Sequence, residues 1–255
     1  MRPDPLSALF AELGRLAQLD RLERELRQRG YALVAGVDEA GRGSLAGPVV
    51  AAAVMLPEDC VLPGLDDSKK LDAPAREKLD QMVRARALAV GVGVVSAKDI
   101  DARDILRASL QAMRIAVDAL PIEPDAIVLD AVTIPGLRRV QLPVIHGDGL
   151  CAGVAAASII AKVHRDRLLD ELGVRYPAYG FEQHKGYGTP EHWEALRLCG
   201  PCPEHRLTYQ GVVHGPPEVS ASGARERRRA TRKGSDGSSR PSQSPRLPVF
   251  GPDRG

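Results

Sequence analysis

Val34-Ala35-Gly36-Val37-Asp38-Glu39-Ala40-Gly41-Arg42-Gly43-Ser44-Leu45-Ala46-Gly47-Pro48-Val49-Val50 decides how the rest of the chain is read. An apolar, β-prone run climbs to two adjacent carboxylates, breaks into a glycine-rich turn with one arginine, and resumes as the apolar run Pro48 to Leu56. That layout suits a metal site beside an anion-binding turn. Neighbouring strand residues point to opposite faces, so Asp38 and Glu39 share one ion only where the strand bends or ends. The glycines predict such an end, with a first strand over Tyr31–Val37 and a second over Gly47–Leu56 as a hairpin. Arg42, between Gly41 and Gly43, offers a guanidinium and bare backbone N–H groups to an anion.

Working outward, 255 residues with 44% hydrophobic and 27% charged side chains describe an ordinary globular α/β chain with appendages. No stretch approaches the ~20 apolar residues of a membrane span, and the charged N-terminus lacks the apolar core of a signal peptide. A cytoplasmic protein is expected. Cys60, Cys151, Cys199 and Cys202 are too scattered for a disulfide framework. Cys199-Gly-Pro-Cys202 looks like a redox motif, but a helical pattern precedes it and Pro203 follows, which is the wrong context.

Three segments are expected: an N-terminal amphipathic helix within residues 1–29, a catalytic domain over 30–214 and a basic tail over 215–255. Leu6, Leu9, Phe10, Leu13, Leu16, Leu19, Leu22 and Leu26 recur at helical spacing over residues 5–28, a surface helix that covers the core. The tail carries nine Arg and Lys against four acids and is dominated by Pro, Gly, Ser and Arg. Such a segment cannot bury enough apolar surface to order itself. Between them lie a helix that begins at Pro74 and continues over 76–86 and a strand over 88–95. A capping segment at 96–104 and a helix over 105–120 come next. A short strand at 126–129, an edge strand at 140–145, a helix over 151–172 capped by Gly173, a loop over 176–188 and a helix begun by Thr189-Pro190 complete the order.

The carboxylates share a position: Asp38-Glu39, Asp130 and Asp148 each end an apolar run. Ligands of α/β sheets collect at the carboxyl ends of strands. Four carboxylates meeting there repel one another unless cations neutralise them, and hard Mg²⁺ or Mn²⁺ is the fitting ion. Two such ions form the clamp used for displacement at phosphorus, which points to nucleic-acid hydrolysis. Gly41-Arg-Gly43-Ser-Leu-Ala46 also fits a dinucleotide-binding fingerprint, but that motif needs a helix directly after it, and a β-type run follows instead.

Taken together, these residues are specific enough to name a family. The Val34–Val50 stretch, Asp67-Ser68-Lys69-Lys70-Leu71, Ala155-Ala-Ala-Ser-Ile-Ile-Ala-Lys-Val-His-Arg-Asp166, and Tyr179-Gly-Phe181 through His184-Lys-Gly-Tyr187-Gly-Thr189 resemble bacterial ribonuclease HII, in the family's order, over Tyr31 to Tyr209. The resemblance implies a ribonuclease H-like fold, a mixed β-sheet flanked by helices. It also implies two-metal hydrolysis of the RNA strand of RNA–DNA hybrids, and incision 5′ to ribonucleotides embedded in duplex DNA, leaving 3′-hydroxyl and 5′-phosphate. Carried over by motif, Asp38, Glu39, Asp130 and Asp148 bind the metals. Gly41, Arg42 and Gly43 read the 2′-hydroxyl, the group that separates RNA from DNA, and Tyr187 stacks on the following deoxyribose. Lys69, Lys70 and Lys162 contact phosphates, while Ser158 reads as a packing residue. Three departures stand out: Ala131 where the family has glycine, His146 where it has lysine, and Asp104 where it has asparagine. The rivals are a catalytically silent hybrid-binding protein and another carboxylate-cluster nuclease of the same fold. Nothing signals an oligomer, so a monomer is expected.

Overall fold

The computed structural model describes residues 4–145 and 147–213. Two N-terminal helices, α1 (Pro5–Leu19) and α2 (Arg21–Gln28), precede the hairpin β1 (Val34–Ala40) and β2 (Val49–Met55). Helix α3 (Ala73–Arg86), strand β3 (Ala89–Val95), helices α4 (Ala97–Arg103) and α5 (Ile105–Asp118), and strands β4 (Ala126–Asp130) and β5 (Val140–Val144) follow. The 24-residue helix α6 (Ala152–Arg175), the single turn α7 (Phe181–His184) and α8 (Pro190–Cys199) complete the order.

The sheet runs β3-β2-β1-β4-β5, antiparallel across β3, β2 and β1 and parallel from β1 through β5. Alternation along β1 and β2 feeds two cores. Val50, Ala52 and Val54 meet the alanines of α6 on one face. Val37, Val49, Ala51 and Ala53 meet α5 on the other. Small residues let α6 lie close to the sheet: a Cβ on Gly36 would fall 2.0 Å from the carbonyl carbon of Gly153.

Several sequence expectations need correction. β1 does not stop at Val37 but runs through Asp38 and Glu39 to Ala40, because β2 pairs with it along that whole length, Asp38 opposite Ala52 and Glu39 opposite Ala51. The N-terminal helix is interrupted at Asp20, and its first half is not a cover: Leu6, Leu9 and Phe10 are exposed while Leu19 and Leu26 are buried. Gly173 sits inside α6 rather than capping it, and a Cβ there would strike the Glu182 carboxylate at 2.4 Å. The capping segment at 96–104 forms α4, and the 176–188 loop contains α7. Cys199 ends α8, so the Cys-Gly-Pro-Cys segment opens no helix. Among the described residues no helix is long and apolar enough to cross a membrane. The tail over 215–255 and His146 lie outside the described residues.

Candidate active site

β1 carries Asp38 and Glu39, β4 delivers Asp130 at the same end of the sheet, and a 3₁₀ turn over Gly147–Gly149 presents Asp148 just before α6. Parallel pairing of β1 with β4 places Val37 beside Leu129, so Asp38 and Asp130 follow at adjacent strand positions. The Asp130 carboxylate accepts from the Gly147 N–H at 3.0 Å, tying the third carboxylate to the turn that bears the fourth.

Asp38 is buried, and burial pushes its carboxyl well above the usual carboxylate range; the charge of Glu39 pushes it further, with smaller contributions from Asp130 and Asp148. Burial also raises Glu39, opposed by Arg42, whose guanidinium lies 3.2 Å from Glu39 Oε1. Burial and the neighbouring Asp67 raise Asp148, while Lys69, 3.6 Å away, draws it back. The pocket therefore holds surplus negative charge that two cationic side chains only partly offset. Its donors are all carboxylate oxygens, the ligand set of a hard divalent cation. Among the described residues no three candidate ligands form a ready-made cage.

The Gly41–Pro48 loop is held very differently. Two fully buried arginines grip it through peptide oxygens. Arg165, on α6, donates to Pro48 O at 3.0 Å, Ala46 O at 3.1 Å and Lys185 O at 3.0 Å. Arg206 donates to Gly47 O at 3.0 Å and Arg42 O at 2.9 Å, and the Tyr209 hydroxyl adds a second bond to Arg42 O. Burial lowers Arg165 to about 10, which leaves it charged at neutral pH. Gly41 has φ +96°, and a Cβ there would lie 2.0 Å from Arg165 Nε, so both backbone and neighbour demand glycine. Gly43 is the opposite case: its φ is ordinary and a Cβ would meet nothing within 4 Å. The fold does not require glycine at 43, whereas close approach of a ligand would.

Tyr187 is half-exposed beside this loop, with the Lys162 ammonium 5.7 Å and the Arg165 guanidinium 5.5 Å from its ring centre. Its carbonyl is fixed by a histidine chain. The Cys202 N–H donates to His205 Nδ1 at 3.0 Å, so His205 carries its proton on Nε2 and donates to His192 Nε2 at 3.0 Å. His192 then donates from Nδ1 to Tyr187 O at 2.9 Å. Burial lowers both rings to about 4, which keeps them neutral as the chain requires.

The structure thus brings Asp38, Glu39, Asp130, Asp148, Lys69 and Arg42 together at one end of the sheet. Lys162 lies near Tyr187 but is engaged by Asp166 at 2.7 Å, and Lys70 is engaged by Asp66 at 2.9 Å. Ser158 does more than pack: its hydroxyl accepts from the Ser68 N–H at 3.3 Å, anchoring the loop that carries Lys69. Sequence reasoning missed Arg165, Arg206, His192 and His205. The departures at 131 and 104 also acquire a meaning, since Ala131 and Asp104 both sit at positive φ, 56° and 142°. Glycine and asparagine suit such backbones better than alanine does.

A family model described as Ribonuclease HII matches residues 35–212. A Ribonuclease HII of Geobacillus kaustophilus is 54% identical over 198 residues, 78% of this chain and 76% of that one. Among solved structures, the ribonuclease H2 of Pyrococcus horikoshii OT3 is similar with a TM-score of 0.60 at 29% identity, covering 79% of this chain and 99% of its own. A Bst-RNase HIII in complex with Mn²⁺ shares the fold with a TM-score of 0.54 at 20% identity, covering 73% and 70%. Motif, topology and likeness agree, and the chain belongs to the ribonuclease HII family, the endoribonucleases that hydrolyse RNA in RNA–DNA hybrids.

Proposed function

We propose that Asp38, Glu39, Asp130 and Asp148 form a two-metal centre that cuts on the 5′ side of a ribonucleotide, in a hybrid or embedded in duplex DNA. One observation carries this reading: Asp38 is buried in the company of Glu39, Asp130 and Asp148, and its carboxyl is pushed well above the usual carboxylate range, first by burial and then by the charges of those three. Divalent cations bound there, Mg²⁺ or Mn²⁺, would activate the attacking water and neutralise the charge growing on the leaving oxygen. The remaining work belongs to the protein's own groups. Asp130 and Gly147 keep two of the carboxylate-bearing segments in register. Lys69, close to Asp148, would meet a phosphate oxygen, and Lys70 and Lys162 would serve as further phosphate contacts. Gly41 and Gly43 let peptide N–H groups approach the 2′-hydroxyl, Arg42 turns from Glu39 to the adjoining phosphate, and Tyr187 stacks on the next sugar. A monomer acting in the cytoplasm completes the reading.

The test is incision of a DNA duplex carrying one ribonucleotide. The wild-type chain with Mg²⁺ or Mn²⁺ cuts 5′ to it and leaves 3′-hydroxyl and 5′-phosphate, and Asp130→Asn does not cut. Equal cutting by Asp130→Asn, or none by the wild type with either metal, overturns the proposal.

A further inference from the structure

Glu23 lies outside the segment matched by the family and belongs to no part of the site described so far. It is on α2 and only 1% exposed. Its Oε1 accepts from the Gly153 N–H at 2.8 Å and from the Cys151 thiol at 3.4 Å, while its Oε2 is buried without a partner. Cys151, the N-cap of α6, makes no side-chain capping bond. The first turn of α6 is therefore capped by a carboxylate from another element.

The place is specific. A Cβ on Gly153 would lie 2.4 Å from Glu23 Oε1 and 3.1 Å from Gly36 N, so Glu23, Gly36 and Gly153 meet where α6 crosses β1. Asp38 is two residues along β1 from that crossing. On the other side, Cys151 N donates to Gly147 O at 2.8 Å, and Gly147 N donates to Asp130. A cover would need only apolar side chains, which Leu19 and Leu26 already supply. A buried carboxyl with one oxygen unpartnered is a costly way to cover a sheet.

Resting on the metal-binding reading above, we propose that Glu23 is a positioning residue that sets α6 against β1 and so fixes the spacing of Asp148 and Asp130 from Asp38. The N-terminal helices are then part of the active-site frame.

Two full-length variants test this. Glu23→Met fills the space without an acceptor, and Glu23→Gln keeps an acceptor oxygen for Gly153. Amide hydrogen exchange is followed over residues 147–153 and over β2 and β3, and Mn²⁺ affinity is measured by calorimetry without nucleic acid. Glu23→Met should speed exchange at 147–153 about tenfold, leave β2 and β3 unchanged and weaken Mn²⁺ binding about tenfold, as loss of an outer-shell support does. Glu23→Gln should restore both. Wild-type exchange at 147–153 in Glu23→Met overturns the proposal, as does a uniform rise across all strands that Glu23→Gln fails to correct. If the wild type binds no Mn²⁺, the metal reading fails, and the exchange comparison still decides the role of Glu23.

Discussion

The loop over Gly41–Pro48 and the carboxylate pocket beside it are neighbours built on opposite principles. The loop is over-determined: Arg165 and Arg206 bind five of the peptide oxygens in and around it, and Leu45 and Gly47 donate to Gly186 O and Glu204 O at 2.8 Å each. The pocket is under-compensated, with carboxylates raised by burial and by one another. The loop is thus completed by folding, whereas the pocket keeps negative charge that folding leaves uncompensated. The protein carries the cost of the pocket as strain on its own stability, a common trade between function and folding.

The sharpest way to break the contrast is Asp38→Asn. Removing a charge the folded state resists should raise the thermal midpoint without metal, yet abolish stabilisation by Mg²⁺ and cut turnover ~10³-fold, the scale of losing several kcal/mol of charge neutralisation. A lower midpoint would show that the pocket is not strained. Next is Arg165→Met, which strands three peptide oxygens. Urea unfolding should show a loss of ~3 kcal/mol or more, and cutting at a single embedded ribonucleotide should fall more than cutting of a long hybrid. Equal losses on the two substrates would detach Arg165 from recognition.

A comparable effect in stability is expected at the back of the pocket. Burial raises Glu23 from 4.5 to about 7, so its proton is held more tightly in the folded state. The associated stability is present below pH 4.5 and is lost as pH rises through 7, up to ~3 kcal/mol. Glu23→Gln should therefore gain on the wild type between pH 5 and pH 8 in urea midpoints. Parallel curves would refute the shift. The smallest effect belongs to Ala131→Gly, which relieves a left-handed backbone and should add ~1 kcal/mol without changing turnover.

The strands, the four carboxylates and the glycine turn were legible because each is written locally, as apolar runs that stop at charge and glycine. The extent of β1 was not, since pairing with β2 carries the strand past the two acids. The missed residues share a different cause. Arg165 looked like one more charge in Lys162-Val-His-Arg-Asp166, and two of its three partners lie more than a hundred residues away in the chain. A signal existed nonetheless: Val154, Ser158, Ala161, Arg165, Leu169 and Leu172 form one buried helical stripe, and Leu19, Glu23 and Leu26 another. A charged residue standing in a stripe position is a charge with a buried job. His192 and His205 offered no such pattern, because their chain joins a helix to a loop.

The buried guanidiniums bear on how substrate affinity should respond to ionic strength. Counterions condense on and leave exposed charges, so the salt slope of nucleic-acid binding should record exposed side chains such as Lys69 and Arg42, the phosphate contacts proposed above. Arg165 and Arg206 touch no solvent, release no ions, and are little screened. Their positive field beneath the recognition loop persists at high salt, where weak encounters with ordinary DNA fall away, so discrimination for the ribonucleotide should improve as salt rises.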